Sequence, residues 1–181
     1  MKKIFLFLIA ASVVMTACSQ KKNPVTTVSK NSTIKSKTII PDALQGGWMY
    51  GNFSMTEYWS QNPSEYLGNA LELAIAFKFT ADGKYEQYFT AKSVQLGITT
   101  YQQSVTKGTI EIDTINKTIR TYPTTSHYRR TRGSKVEQEQ DMAKSELSVT
   151  SYSYTTGSEP NGTKALYLKL GTSNPLTFLK K

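Results

Sequence analysis

The sequence predicts an all-β domain, an antiparallel up-and-down barrel of about eight strands, with a two-sheet β-sandwich as the alternative. Three observations carry this expectation. Apolar and polar residues alternate with a period of two along most of the chain, which lines one face of each strand with large side chains. Turn residues, chiefly Gly, Asp and Asn, recur about every ten residues, and almost no stretch has the period of a helix. The strands are long and evenly spaced, which favours closure, and an eight-stranded barrel has room either for packed side chains or for one small ligand.

At 181 residues the chain is long enough for one domain with extensions. Met1-Lys2-Lys3 is a short cationic start, residues 4–14 are an almost purely apolar run of eleven, and Met15-Thr16-Ala17 leads into Cys18, the only cysteine. This is the layout of a secretory signal peptide over 1–17, and its apolar run is shorter than the roughly 20 residues that span a bilayer. Residues 18–38 hold Lys21, Lys22, Lys30, Lys35 and Lys37 among Ser, Thr and Asn. They cannot bury enough surface to offset the entropy of ordering, so a flexible basic tether is expected. The folded domain is expected over 39–181. Of the 22 basic residues only 15 fall from Thr38 onward, together with all 13 acidic ones, so the net charge of +9 belongs mostly to the leader and tether. A nucleic-acid-binding domain keeps its excess charge on its folded face, and no nucleic-acid partner is expected here.

The body is expected to open with a strand over 48–55, followed by a short turn or single helical turn over 62–68. Leu71, Leu73, Ile75, Phe77 and Phe79 then alternate with Glu72, Ala74, Ala76 and Lys78, a strand over 71–80 with one buried face. Asp82-Gly83 tolerates the positive φ of a tight hairpin turn, and 85–89 returns. Further strands are expected over 95–105 with Gly97 near its start, 109–114, 118–122 after an Asn116-Lys117 turn, 146–154, 165–170 and 176–179. In 146–154 the large residues move from odd positions (Leu147, Val149) to even ones (Tyr152, Tyr154), which a β-bulge would explain.

Met15-Thr16-Ala17-Cys18 resembles the lipobox of bacterial lipoproteins, with Met15 in place of the more usual Leu. The resemblance implies cleavage before Cys18 and acylation of its thiol and new amino group, so that Cys18 anchors the protein in the membrane. Several acyl chains hold firmly where one holds only marginally. In that family an aspartate after the cysteine is the usual inner-membrane retention signal in enteric bacteria. Ser19 stands there in this chain, which implies the outer membrane. Some bacterial groups place an acidic export signal at this point; Ser19-Gln20-Lys21-Lys22 is not acidic, which favours the periplasmic face over the cell surface.

Gly46-Gly47-Trp48 puts a Gly-x-Trp at the start of the first strand. Together with the meander of strands, it resembles the lipocalin-like domains of envelope lipoproteins, in which that Trp closes the floor of the barrel. In lipocalins an arginine near the end of the last strands stacks on this Trp; between Ala165 and Leu179 no arginine stands here, the cation being Lys169. The stretch over 47–85, with Tyr58-Trp59, Tyr66, Gly68-Asn69-Ala70, Phe77-Lys78-Phe79 and Asp82-Gly83-x-Tyr85-Glu86, is also similar to a group of such lipoproteins with no assigned activity. The resemblance implies a barrel that binds a small hydrophobic or amphiphilic ligand. Gly46 and Trp48 are structural on this reading, as Asp82 and Gly83 are for the hairpin.

The 11 Tyr, 7 Phe and 2 Trp residues fall mostly in the strands, and Tyr couples an apolar ring to a hydroxyl that suits a cavity for an amphiphile. Trp48, Tyr58, Trp59, Phe77, Phe79 and Tyr85 are the candidates for that lining, and ordinary strand packing is the competing reading of the same rings. Arg120, His127, Arg129, Arg130 and Arg132 form a basic cluster in which Arg129 and Arg130 are candidates to grip a carboxylate or phosphate bidentately. The alternative is a solvated loop paired with Glu137, Glu139 and Asp141. The second functional reading is a non-enzymatic interaction module that docks an envelope protein or glycan through its outer surface, on the basic and aromatic groups between Arg120 and Arg132; Tyr58-Trp59 with Trp48 are candidates for a sugar-stacking platform, with core packing as the competing reading. One Cys and one His leave no disulfide or Cys/His zinc site, and they rest any Ser-His or Cys-His catalyst on His127, which has no recognisable carboxylate partner at motif spacing. There is no phosphate-cradling loop, metal constellation or nucleophile elbow, so no enzymatic activity, cofactor or metal is expected.

Overall fold

A computed structural model describes residues 39–51, Met55, Tyr58, Trp59 and 71–181. The leader over 1–17, Cys18, the tether over 18–38 and the turn expected over 62–68 lie outside the described residues. The described chain is all-β, and its only helical element is a 3₁₀ turn at Lys144–Glu146. Nine antiparallel strands form one sheet: β1 (Gly46–Tyr50), β2 (Leu71–Phe79), β3 (Lys84–Gln95), β4 (Ile98–Asp113), β5 (Thr118–Arg132), β6 (Lys135–Asp141), β7 (Thr150–Ser158), β8 (Lys164–Leu170) and β9 (Leu176–Lys180). Eight of them make a ring in chain order, β1-β2-β3-β4-β5-β7-β8-β9, and β9 pairs back onto β1. β6 stands outside that ring. It lies end to end with β7 along the same edge of β5, where β7 takes 118–121 and β6 takes 127–132.

The hairpin between β2 and β3 turns on Thr80, Asp82 and Gly83. Gly83 has φ +77°, open to glycine at no steric cost. The Asp82 carboxylate pairs with the Lys84 ammonium at 2.8 Å and accepts the Thr80 hydroxyl at 2.5 Å. Those two partners, Lys84 first, hold the Asp82 carboxyl down at about 2. The inward residues of the ring pack as one cluster that includes Trp48, Phe77, Phe79, Tyr85, Leu166 and Phe178. Ile40 and Leu44, just before β1, belong to the same cluster and close the end at which β1 begins. There the Trp48 indole Nε1 donates to the Leu44 carbonyl at 2.8 Å.

The Lys180 ammonium lies 4.5 Å from the centre of the Trp48 ring and donates to the Gln45 carbonyl. Burial, and then the charge of Lys164, lower its pKa from the ordinary lysine value. The cation over the floor tryptophan is therefore a lysine from the end of β9. Gly46, at φ +91°, makes room for it, since a Cβ there would stand 3.1 Å from the Lys180 Nζ.

A second, smaller cluster covers the outside of the wall, where Met49, Tyr58, Ala74, Ala76 and Val105 are buried together. Both faces of the middle of β2 are thus covered. Small residues at Ala74 and Ala76 let the Tyr58 side chain lie close to the sheet. The Tyr58 hydroxyl donates to the Phe89 carbonyl, and the Thr90 hydroxyl and the Ser104 carbonyl lie 3.1 and 3.3 Å from it.

Several boundaries differ from the sequence expectation. β1 ends at Tyr50 rather than at residue 55, because Gly51 takes φ +82°. Leu96 and Gly97 form the turn between β3 and β4, both with positive φ, so Gly97 is not a strand residue. The strands expected over 95–105 and 109–114 are one continuous β4. β5 does not stop at 122 but runs on through the whole basic cluster, which is a strand and not a loop, and β6 was not expected at all. β7 starts at Thr150, so Leu147 and Val149 precede it and the change of parity there is no bulge. The irregularities lie instead in the pairing of β5, beside Lys107/Gly108 on β4 and between Arg130 and Thr131.

Candidate ligand site at the mouth of the barrel

Opposite the packed floor, where β8 turns into β9, the inner face of the ring is not filled. A cavity of about 230 Å³ opens there, walled by Ile75, Phe77, Phe89, Tyr152, Leu168 and Phe178, with Gln87 and Ser173 as polar neighbours. Register explains the assembly of this wall. Ile75 on β2 is the cross-strand partner of Phe89 on β3, and Leu168 on β8 is the partner of Leu176 on β9. Leu170 on the rim is 53% exposed. The Phe77 ring sits 5.6 Å from Phe79 and meets Tyr152 edge-on at 5.8 Å, so the floor of the cup is the top of the packed core. Burial raises the pKa of the Tyr152 hydroxyl above the ordinary tyrosine value, opposed by its hydrogen bond with Thr150.

The residues singled out in the sequence divide among three places. Phe77 lines the cup, while Trp48, Phe79 and Tyr85 lie below it in the filled interior. Burial pushes the Tyr85 hydroxyl up to about 12, against the hydrogen bond with Thr121 that lowers it. Tyr58 and Trp59 are on the outside of the wall, beside an open groove of about 650 Å³ that also includes Tyr88, His127 and Asp141. Trp59 meets Tyr58 edge-on at 4.8 Å and His127 edge-on at 5.2 Å.

His127 does have carboxylate partners, and they come from β6. Its Nδ1 is 2.8 Å from Asp141, and its Nε2 is 3.4 Å from Glu139. Asp141, and then Glu139, raise its pKa above the ordinary histidine value. Among the described residues no three His, Cys, Asp or Glu side chains gather as a metal site.

Arg129 and Arg130 do not lie on one face. Successive strand residues point to opposite faces, and each has its own partner. Arg129 donates to the Trp59 carbonyl at 3.3 Å and lies 3.9 Å from Glu139, whereas Arg130 lies 3.2 Å from Glu137. The wall residues that sequence reasoning did not single out are Ile75, Phe89, Tyr152, Leu168 and Phe178. Their signal was inward parity on neighbouring strands, which Ile75 carried openly and the others carried only once the register was known.

Compared with protein-family models, curated proteins and solved structures, the chain finds no match. Fold and site alone define its class, an antiparallel β-barrel with a packed floor and an apolar cup at the other end.

Proposed function

We propose that the protein is a lipid-anchored envelope lipoprotein whose lipocalin-like barrel binds a small hydrophobic or amphiphilic ligand in the apolar cup. The cup carries this reading, because there the inward residues of the ring leave space and line it with apolar groups. An apolar cavity of about 150 Å³ takes benzene, and sites for drug-sized ligands begin near 300 Å³. At about 230 Å³ the cup suits one narrow apolar group, such as a fused ring or the end of an alkyl chain, and not a whole drug-sized molecule. The Met15-Thr16-Ala17-Cys18 motif supports acylation at Cys18, and Ser19 supports the outer membrane, with the periplasmic face favoured.

N-phenyl-1-naphthylamine, a neutral fluorophore, tests the cup. Saturable enhancement of its emission is expected with the wild type and not with Leu176→Trp, in which a half-buried wall residue is enlarged toward the space. Equal enhancement in both, with the circular dichroism unchanged, would reject the cup as the site. For the anchor, bacterial cells fed labelled palmitate should label the wild type and not Cys18→Ser; label retained by the variant would reject acylation there.

A further inference from the structure

Past the mouth, β2, β3, β4 and β5 run on beyond the ring and carry its inner face outward with them. Register and alternation assign the residues on that face. Ile75, Phe89, Ser104 and Tyr128 are successive cross-strand partners and form a first row, whose first two members line the cup. The next row outward is Leu73, Ala91, Gln102 and Arg130, and the one after it carries Ser93, Thr100 and Arg132. The first two rows pass from apolar groups on β2 and β3 to polar groups on β4 and to Tyr128 and Arg130 on β5, and the third, polar throughout, ends on Arg132. Lys135, the partner of Arg132 on β6, adds a further cation.

Little offsets this charge. Glu137 pairs with Arg130, and among the described residues Arg132 and Lys135, both exposed, have no ion-pair partner. Strands lie about 4.8 Å apart and residues rise about 3.4 Å each, which puts the Arg130 backbone about 12 Å from that of Phe89, within reach of a ligand seated in the cup.

We propose that this face is the headgroup platform of the cup. The ligand is then a single-chain amphiphile with an anionic head, its tail among Ile75, Phe89 and Leu73 and its carboxylate or phosphate held by the guanidinium groups of Arg130 and Arg132. Arg129 takes no part, being turned to the other face toward Trp59. The inference rests on the cup being the ligand site.

The test is displacement of N-phenyl-1-naphthylamine from the full chain by dodecanoate, dodecyl phosphate or dodecyltrimethylammonium, each below its micelle concentration. Both anions should displace the fluorophore at concentrations about tenfold lower than the cation does, the factor that one charge-assisted hydrogen bond supplies. The tighter of the two anions identifies the head. Arg130→Gln with Arg132→Gln should remove most of that preference while leaving binding of the neutral fluorophore unchanged. Arg132→Gln alone, at an exposed position without a partner, should remove part of it with no risk to folding. Equal displacement by all three, preference for the cation, or a preference that survives both substitutions would overturn the headgroup platform and leave the cup standing. A wild type that binds no fluorophore at all would remove the cup, and the platform with it.

Discussion

Replacing Trp48 by Ala should cost the fold about 3–5 kcal/mol, the range for emptying a fully buried tryptophan site. The ring is 1% exposed, and its neighbours come from three separate parts of the chain. Leu44 accepts its N–H, Phe77 faces it across β2, and Lys180 lies over it from β9. Losing the ring opens a cavity between the closing segment and the barrel, leaves the Leu44 carbonyl without its donor and strands a partly buried ammonium. Against a total stability of about 5–15 kcal/mol, this is a large share. For a domain of this size the thermal midpoint should fall by about 10–15 °C, read by circular dichroism. Trp48→Phe keeps most of the volume and should cost markedly less. A midpoint within about 3 °C of the wild type in the Ala variant would mean that the floor closes without the ring.

Gly108→Ala should be the most damaging single-methyl change in the described barrel. Gly108 is on β4 opposite Pro123, at the point where β5 carries Thr124 as an extra residue. A Cβ there would strike the Tyr122 carbonyl oxygen and stand 2.9 Å from the Pro123 Cα. Both obstacles are backbone, so no side chain can swing aside. Overpacking commonly costs about 1–3 kcal/mol, and with a main-chain obstacle the upper end, about 3 kcal/mol, is expected. The loss should be local at first. Gly108 marks the point where the closed ring gives way to the longer β4–β5 ladder, so amide hydrogens on both sides of it should exchange faster than in the wild type, and those of β8 and β9 should not. An Ala variant with wild-type exchange across β4 and β5 would show that the strands can separate at this crossing without harm.

The parts of this molecule legible in the sequence are those that depend on the local chain. Ile75, Phe77 and Phe79 turn one way because a pleated strand has a period of two, whatever it pairs with. Asp82-Gly83 turns because those two residues accept that backbone. β6 offers no such signal, because Lys-Val-Glu-Gln-Glu-Gln-Asp is exposed at every position and lacks a buried face. It is a strand through its hydrogen bonds to β5 and the pairs that His127, Arg129 and Arg130 make with Asp141, Glu139 and Glu137. For the same reason the second half of β5, polar and basic, reads as a loop until its neighbours on both sides are known. The candidate site was half legible. Phe77 was found from its strand, but a wall that draws on β2, β3, β7, β8 and β9 exists only through registers that no local pattern encodes.

The all-β character, most of the strands and the β2–β3 hairpin were legible in the chain itself, because each follows from side-chain alternation or turn chemistry at one place. That the interior is filled around Trp48, Phe79 and Tyr85 and open above Phe77 came from the assembled barrel. It alone made the stretch carrying Arg129 and Arg130 a strand rather than a loop and brought Lys180 over the floor. Those outcomes depend on which strands become neighbours and in what register, and a one-residue slip in pairing would exchange the faces of every side chain involved.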